Sequence, residues 1–460
     1  MWKDNLQDTI AAISTPLGEG GIGIVRLSGQ KALAIAGKIF AGLDKKRPVQ
    51  FKSYSMHYGK IVDEHKIVDE VILTVMRSPR SYTRQDVVEI NCHGGMLSLQ
   101  RILGLVLKHG CRLATPGEFT KRAFINGRLD LAQAEAVIDI IRAKTESALK
   151  ISLEQLTGSL SGSINKIRRS ILDILVVLEA GIDFPEEGVM AIDPPVLSRS
   201  LAGIDKQLNA LLSGAAGGRI LREGLHVVIC GKPNVGKSSL LNALLKKERA
   251  IVTPVAGTTR DTLEELIEIK GIPVRIVDTA GILAPRNLIE KKAVKRSRHQ
   301  INLADLVILL FDASRPLDQQ DLTLARELKN KNVIAVINKI DLKRRLKKER
   351  IRSLFPEAVE LAAKSGKNLH SLEDAIYDFV YQGKALGRES ILVSNLRHIE
   401  ALSSAQKLVR QARTLLADKL PLELVNQNLK DACVYLDQIL GKNFSADLLD
   451  KIFEEFCIGK

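Results

Sequence analysis

The chain has 460 residues, 45% of them hydrophobic, enough for two to four ordinary cores and too many for a disordered chain. Its 68 Lys/Arg against 53 Asp/Glu leave a net charge of +15, which points either to an anionic partner, nucleic acid first, or to a merely solvated basic surface. Aromatics at 4% argue against base stacking as the main binding device, and five widely spaced cysteines without a CxxC pair suggest neither a disulfide framework nor a zinc site.

No apolar signal region follows Met1-Trp2-Lys3-Asp4, and no apolar run is long enough to span a membrane, so a soluble, cytoplasmic chain without a membrane partner is expected. Residues 1–125 read as mixed α/β. Strands are expected at Thr9–Ile13 and Ile22–Leu27, joined by the turn Gly18-Glu19-Gly20-Gly21, and near Ser53–Ile61, Val68–Met76 and Val87–Asn91. Apolar residues at helical spacing (Leu99, Ile102, Leu103, Val106) predict a helix over Met96–His109, ended by Gly110. Gly18, Gly20 and Gly23 spell GxGxxG, but that dinucleotide fingerprint needs a helix opening at its third glycine. Here Gly23 lies in the β-branched run Ile22-Gly23-Ile24-Val25, and Asp44, at the distance of a ribose contact, follows a helical pattern instead of a strand.

Residues 126–222 change character. The stretch from Leu131 to Leu156 lacks Gly and Pro and carries apolar residues at i, i+3 and i+4. Helical patterning continues over Ile164–Leu178 and Leu197–Leu212, and Ser213–Gly224 reads as a Gly/Ala-rich connector. Residues 223–382 alternate strand and helix, which predicts a largely parallel sheet wrapped by helices. Its strands are expected at 225–230, 263–269, 273–277, 305–311, 332–337 and 358–362, with a last helix over Ser371–Tyr381. Residues 383–460 return to helix, over Ile399–Leu416, Leu422–Leu440 and Ala446–Phe456. The expected fold class is multidomain, α/β plus all-α, with an α/β nucleotide domain inserted into a helical one.

The most specific pattern lies in the third stretch. The apolar run Val227-Val228-Ile229-Cys230 breaks at Gly231, and Asn234-Val235-Gly236-Lys237-Ser238-Ser239 follows, giving GxxxxGK[ST]. Glycines let successive N–H groups turn toward phosphate oxygens, Lys237 would reach the β- and γ-phosphates, and the Ser238 hydroxyl would hold Mg²⁺. Gly257-Thr258-Thr259-Arg260-Asp261 is either an ordinary loop or a switch in which the Thr259 hydroxyl completes the Mg²⁺ shell when a γ-phosphate is present. Asp278-Thr279-Ala280-Gly281 closes an apolar strand, so that Asp278 would hold Mg²⁺ through water and the Gly281 N–H would meet the γ-phosphate.

Asn338-Lys339-Ile340-Asp341 ends another buried strand, and the Asp341 carboxylate can accept two hydrogen bonds that guanine offers and adenine does not. Ala362-Ala363-Lys364 stands where a backbone N–H reads the guanine oxygen. Together these motifs imply a GTP-hydrolysing enzyme. Ile282 follows the DTAG motif and cannot orient water. Glu290 is a candidate for that task, or a surface glutamate paired with the basic residues at 291–298. Asn234 either helps to hold a monovalent cation beside the phosphates or caps its own turn.

Thr15-Pro16, the run Gly20-Gly21-Ile22-Gly23-Ile24-Val25-Arg26-Leu27-Ser28-Gly29, the segments 117–124 and 129–136, and the ending Phe456-Cys457-Ile458-Gly459-Lys460 are similar to the MnmE (TrmE) family of tRNA-modification GTPases. The resemblance covers essentially the full length. It implies an N-terminal α/β domain that binds a tetrahydrofolate derivative (5-formyl- or methylene-type) and mediates homodimerisation, and a helical domain with the GTPase domain inserted. It also implies joint action with the flavoprotein MnmG on the wobble uridine of certain tRNAs, where an aminomethyl-type group is installed.

Hydrolysis in this family is stimulated by K⁺, and Asn234, Thr253, Val255 and Thr258 match its K⁺ positions, with Thr253 also beside GTP. Glu290 matches the water-orienting glutamate. Arg26, Glu89, Arg128 and Lys460 match folate-contacting positions, with Arg128 standing where a lysine can occur. Cys457 matches the family's C-terminal cysteine, which on a flexible tail could approach substrate as a catalytic group. The motifs for GTP alone would equally serve a ribosome-assembly GTPase acting as an RNA-binding switch. One phosphate loop in place of two, and the absence of a GxxG RNA-binding module, argue against it. The basic runs at 291–298 and 343–352 are either solvated helix faces or tRNA contacts.

Overall fold

The computed structural model describes residues 7–43, 45–183, 193–247, 264–278, 298–381 and 392–460. The chain forms two compact units: residues 1–141, 155–169 and 433–460 make one, and residues 142–154 and 170–432 make the other.

The first unit is built on a seven-stranded sheet in the order β3-β4-β5-β6-β2-β1-β7. Its strands are β1 (Ile10–Ile13), β2 (Gly23–Ser28), β3 (Phe40–Gly42), β4 (Ser55–Asp63), β5 (Lys66–Met76), β6 (Val87–Cys92) and β7 (Arg112–Leu113). All neighbours are antiparallel except β1 and β7. Along β5, Val71, Leu73 and Val75 are buried and Ile72 is exposed, the alternation that a sheet with one covered face demands. Helices α1 (Ala32–Ile39) and α2 (Met96–Lys108) cover that face with Leu33, Ile35, Leu99, Ile102 and Val106. Gly23 lies in strand β2, which agrees with rejecting the dinucleotide fingerprint. Asp44 lies outside the described residues.

Helix α3 (Glu118–Ile125) packs Phe119 against Ile10, Ala12 and Ala114 on the other face. Helix α4 (Leu131–Arg142) and the late helix Ala446–Glu454 share a second core of Phe124, Leu131, Ile138, Leu449, Phe453 and Phe456. The Gly-free run from Leu131 is not one helix: α4 ends at Arg142 and α5 (Glu146–Leu156) starts anew. Thr145 breaks it, because its Oγ1 accepts from Ala148 N at 3.2 Å and so caps the second helix. Helix α6 (Ser159–Asp183) follows.

The second unit holds a six-stranded sheet in the order β13-β12-β11-β8-β10-β9. Its strands are β8 (Leu225–Gly231), β9 (Glu264–Ile269), β10 (Ile272–Asp278), β11 (Leu306–Asp312), β12 (Val333–Asn338) and β13 (Val359–Glu360). All pairings are parallel except β9 with β10. Strands buried on both faces explain the near-continuous apolar runs in β8 and β11. The chain runs to one side of β8 for β9 and β10 and to the other for β11, which makes the carboxyl end of β8 the switch point where such sheets bind ligands.

Helix α7 (Pro194–Leu212) buries Leu197, Leu201, Ile204, Leu208 and Leu211 and packs on helix Leu396–Ala417. The expected connector after it is instead helix α8 (Ala215–Glu223). Its glycines serve close packing: a Cβ on Gly218 would lie 2.5 Å from Val393 O, so only glycine lets the helix approach that backbone.

Candidate nucleotide site and N-terminal ligand site

The carboxyl ends of β8, β11 and β12 lie side by side, and each ends in a residue of the site: Gly231, Asp312 and Asn338. The loop after β8 bends through Gly231 (φ 145°), Asn234 (φ 65°) and Gly236 (φ 101°) into helix α9 (Lys237–Lys247). Gly236 is obligatory on two counts, since its φ disfavours other residues and a Cβ there would lie 2.3 Å from Asn338 Nδ2. The Lys237 ammonium is nearly buried, 9% exposed, and donates to Gly231 O (3.1 Å) and Lys232 O (3.0 Å). Val235 is buried, while Ser238 and Ser239 stand exposed in the first turn of α9. Lys232 pins the start of the loop, with its ammonium 2.7 Å from both Asp318 and Asp321 at the opening of helix Gln319–Glu327. Burial opposes its charge, but the two carboxylates outweigh that and raise its pKa.

Asn338, 2% exposed, is the knot of the site. Its Nδ2 donates to Val235 O at 2.8 Å, and its Oδ1 accepts from Lys339 N (2.8 Å) and Ala363 N (2.9 Å). One side chain therefore joins the phosphate loop, the end of β12 and the segment after β13. Lys339, in a left-handed conformation (φ 65°), sends its Nζ to Asn234 O at 2.6 Å and to Asp312 Oδ2 at 2.7 Å. Burial pushes the Asp312 carboxyl up, but the Lys339 ammonium and the donors of Ser314 outweigh it and hold it below the usual carboxylate range. Asp341 is exposed just beyond, and Ile340 N donates to Leu361 O (3.4 Å), which holds this end beside Ala362, Ala363 and Lys364.

The structure thus brings together Asn234, Val235, Gly236, Lys237, Asn338, Lys339 and Ala363, with Ser238, Ser239, Asp341, Ala362 and Lys364 on the adjoining turns. Thr253, Val255, Thr258, Thr259, Thr279, Ala280, Gly281 and Glu290 lie outside the described residues, and Asp278 is described in its backbone alone, at the end of β10 beside Ile229. Asp312 was missed in the sequence. Its signal was an aspartate ending an apolar strand, the same placement as Asp278.

A second candidate site lies in the first unit. Arg26 and Glu89 face each other across β2 and β6, with Nε to Oε1 at 2.8 Å. The Arg26 Nη1 and the Ser14 Oγ both donate to Gly459 O at 3.1 Å. Phe119 N, in the first turn of α3, donates to Lys460 O at 3.1 Å, and Gly117 N to Cys457 O at 3.4 Å. The Arg128 guanidinium lies over the Tyr82 ring, 4.7 Å from its centroid, and the Tyr82 hydroxyl bonds Thr120 Oγ1 at 2.8 Å. Arg26 and Glu89 are therefore paired and tied to Gly459, Lys460 joins them only through its backbone carbonyl on Phe119 N, and Arg128 meets Tyr82, which spacing gave no means of finding.

The tail is not the flexible arm expected. Gly459 (φ 92°) is buried so tightly that a Cβ would lie 2.3 Å from Ile13 O. Cys457 is exposed on this fixed segment, whereas Cys92, Cys111, Cys230 and Cys433 are buried and unbridged. Among the described residues no helix is long and apolar enough to cross a membrane.

Comparison with known proteins identifies the family. The family model of the MnmE helical domain matches residues 131–457, and that of the GTP-binding protein TrmE N-terminus matches residues 9–128. The tRNA modification GTPase MnmE of Alkaliphilus oremlandii is 47% identical over 99% of this chain and 100% of its own length. That of Clostridioides difficile is 46% identical over the same shares. A crystal structure of Aquifex aeolicus Era is 31% identical over 40% of this chain and 65% of that one, with a TM-score of 0.28, too low to decide anything. With two family models spanning both units and full-length relatives near half identity, this chain belongs to the MnmE (TrmE) family of tRNA-modification GTPases.

Proposed function

We propose that the chain hydrolyses GTP to drive modification of the wobble uridine of certain tRNAs at C5, adding an aminomethyl- or carboxymethylaminomethyl-type group. It would do so as a cytoplasmic homodimer with a flavoprotein partner of the MnmG kind, using a tetrahydrofolate derivative as one-carbon donor. The observation that carries the nucleotide part is the Asn338 knot, which ties a phosphate-cradling loop to the strand end bearing Asp341. Lys237 and the loop amides would bind the phosphates, and the Asp341 carboxylate with the backbone at 362–364 would select guanine.

The obligatory Gly236 and the serines opening α9 fit a metal-bound phosphate chain, with Mg²⁺ held by Ser238 and Thr259 to offset the phosphate charge. Asn234, Thr253, Val255 and Thr258 would hold K⁺, and Glu290 would orient the water whose oxygen bonds to the γ-phosphorus as the bond to the bridging oxygen breaks.

In the first unit the donor set suits a flat anionic ligand: the Arg128 guanidinium over the Tyr82 ring and the Arg26 guanidinium over the Phe119 ring, 5.7 Å from its centroid, with Glu89 paired to Arg26 and the Lys460 carbonyl on Phe119 N. The exposed thiol of Cys457 is fixed on the same tail and would act on the tRNA side of the chemistry. The homodimer is supported by the bare outer face of the β4–β5 hairpin, where Tyr58 pairs with Ile72 and Met56 with Thr74, and all but Thr74 of these side chains are exposed. The four stretches 1–125, 126–222, 223–382 and 383–460 would be the N-terminal, first helical, GTPase and second helical parts.

The test is nucleoside analysis of tRNA from cells lacking this chain, with hydrolysis by the purified protein measured in K⁺ and in Na⁺. Loss of the modified wobble uridines and a strong preference for K⁺ are expected. Intact wobble uridines would favour a ribosome-assembly switch, and equal rates would remove the role of Asn234.

A further inference from the structure

Between Asp341 and Lys367 the chain carries nine Lys/Arg against four Asp/Glu, so these 27 residues hold +5 of the net +15 of the whole. The fold brings the two charged segments, 343–352 and 364–367, to strand β13. Leu346 (4% exposed) and Ile351 (0%) sink into the core beneath β11 and β12 and fix the course of the segment. Arg345 N and Leu346 N both donate to Ala313 O, at 2.9 and 3.2 Å.

Arg344 and Lys348 both reach Glu360 on β13, which brings 343–352 against the strand that continues to Lys364. Ala362 N donates to Lys367 O at 3.0 Å and folds Lys367 back beside it. Glu360 is thereby shared between two cations. The exposed Lys343, Arg345, Lys347, Arg350 and Arg352 make no ion pair among the described residues, and neither do Lys364 and Lys367.

The surface has no aromatic ring for stacking apart from the half-buried Phe355, so it is suited to phosphates and not to bases. A protein partner fits it less well, because the centre of a protein interface is depleted of charge and apolar, whereas here seven exposed cations outnumber the two exposed leucines, Leu342 and Leu354. We infer that the surface formed by residues 343–352 and 364–367 seats the phosphodiester backbone of the tRNA, beside the guanine-reading edge of the GTPase sheet. The inference rests on the reading that the chain acts on tRNA. Phosphate contacts of this kind position a substrate without reading its sequence, so the surface would serve every tRNA the enzyme accepts.

The test uses the full-length protein with Lys343→Gln/Arg345→Gln/Lys347→Gln, leaving the buried Leu346 in place. Binding of tRNA is measured by fluorescence anisotropy across a salt series. Three lost phosphate contacts should lower the slope of log K against log salt by about 2–3 and weaken binding roughly 10- to 100-fold near physiological salt. GTP hydrolysis without tRNA should not change. Arg350→Gln/Arg352→Gln should act in the same direction, and Lys407→Gln/Arg413→Gln, on helix Leu396–Ala417, should have no effect. Unchanged slope and affinity in both patch variants would overturn the inference and leave the proposed function standing. A wild-type protein that binds no tRNA would overturn both. Variants that keep tRNA but lose a polyglutamate probe would mark a dock for an acidic protein and overturn it as well.

Discussion

Replacing Asn338 by alanine should disconnect the two halves of the nucleotide site. The side chain is 2% exposed and makes three hydrogen bonds of 2.8–2.9 Å, to Val235 O, Lys339 N and Ala363 N. Alanine leaves those three backbone groups without their partner. A buried group left unsatisfied costs about 1–3 kcal/mol, but water can reach some of them once the side chain is gone, so a total of about 2–3 kcal/mol is reasonable. That cost falls on the proposed nucleotide geometry, because the released elements are the phosphate loop and the segment at 362–364 proposed to meet guanine.

At 1.4 kcal/mol per decade, guanine-nucleotide affinity should fall roughly 30- to 100-fold. Asn338→Asp is a sharper probe. It keeps the acceptor for Lys339 N and Ala363 N but replaces the donor to Val235 O with a second oxygen, so it should disturb the phosphate loop while sparing the base-reading end. Titration with a fluorescent GDP analogue measures both variants. Affinity within threefold of wild type for Asn338→Ala would refute the view that this side chain couples the two halves.

Two further outcomes concern the first unit. Gly459→Ala forces a Cβ to within 2.3 Å of Ile13 O at a φ of 92°, so the tail should undock, becoming open to carboxypeptidase, and the proposed folate binding should be lost while GTP hydrolysis persists; a protected tail would refute this. Glu118 is held by Arg112, Arg122 and Thr115 in the first turn of α3. Burial pushes its carboxyl up, yet these partners outweigh burial and bring its pKa from the ordinary 4.5 down to about 2. A lowered carboxyl pKa stabilises the fold above pH 4.5, and the contribution, up to about 3 kcal/mol, fades as pH falls toward 2. The melting temperatures of wild type and Glu118→Gln should therefore differ at pH 6 and converge near pH 2; a constant gap would refute it.

What could be read in the sequence follows from where the constraint lies. The phosphate loop and Asn338-Lys339-Ile340-Asp341 were legible because each follows a buried strand and phosphates and guanine demand those residue types at fixed spacing. Most strands of both sheets were legible from alternation or from unbroken apolar runs, as in β5 and β11, but the two- and three-residue strands β7 and β3 are too short to carry either pattern and were not expected. Helix α8 was not, because the glycines that suggest a connector are explained by a backbone some 175 positions later, Val393 O. The break before α5 was signalled by Thr145 followed by Glu146, a cap that the even run of apolar residues masked. Tyr82 under Arg128, and the burial of Gly459 against Ile13, arise from long-range packing that spacing does not encode.

That burial also sets an order on biosynthesis. Ser14 and Gly459 are 445 positions apart, yet the Ser14 hydroxyl and Arg26 both wait for the Gly459 carbonyl. At about 5–20 residues per second, the ribosome needs roughly 20–90 s to pass from one to the other. The seven-stranded sheet can pair long before then, since its strands end at Leu113. The hydrogen bonds of its candidate ligand site cannot be completed until Gly459 has been made. A chain stopped before Gly459 would still carry the entire phosphate loop and the strand end that leads to Asp341. It would carry the nucleotide site while lacking the tail that closes the second candidate site, so synthesis itself separates the two, with the one for nucleotide maturing first.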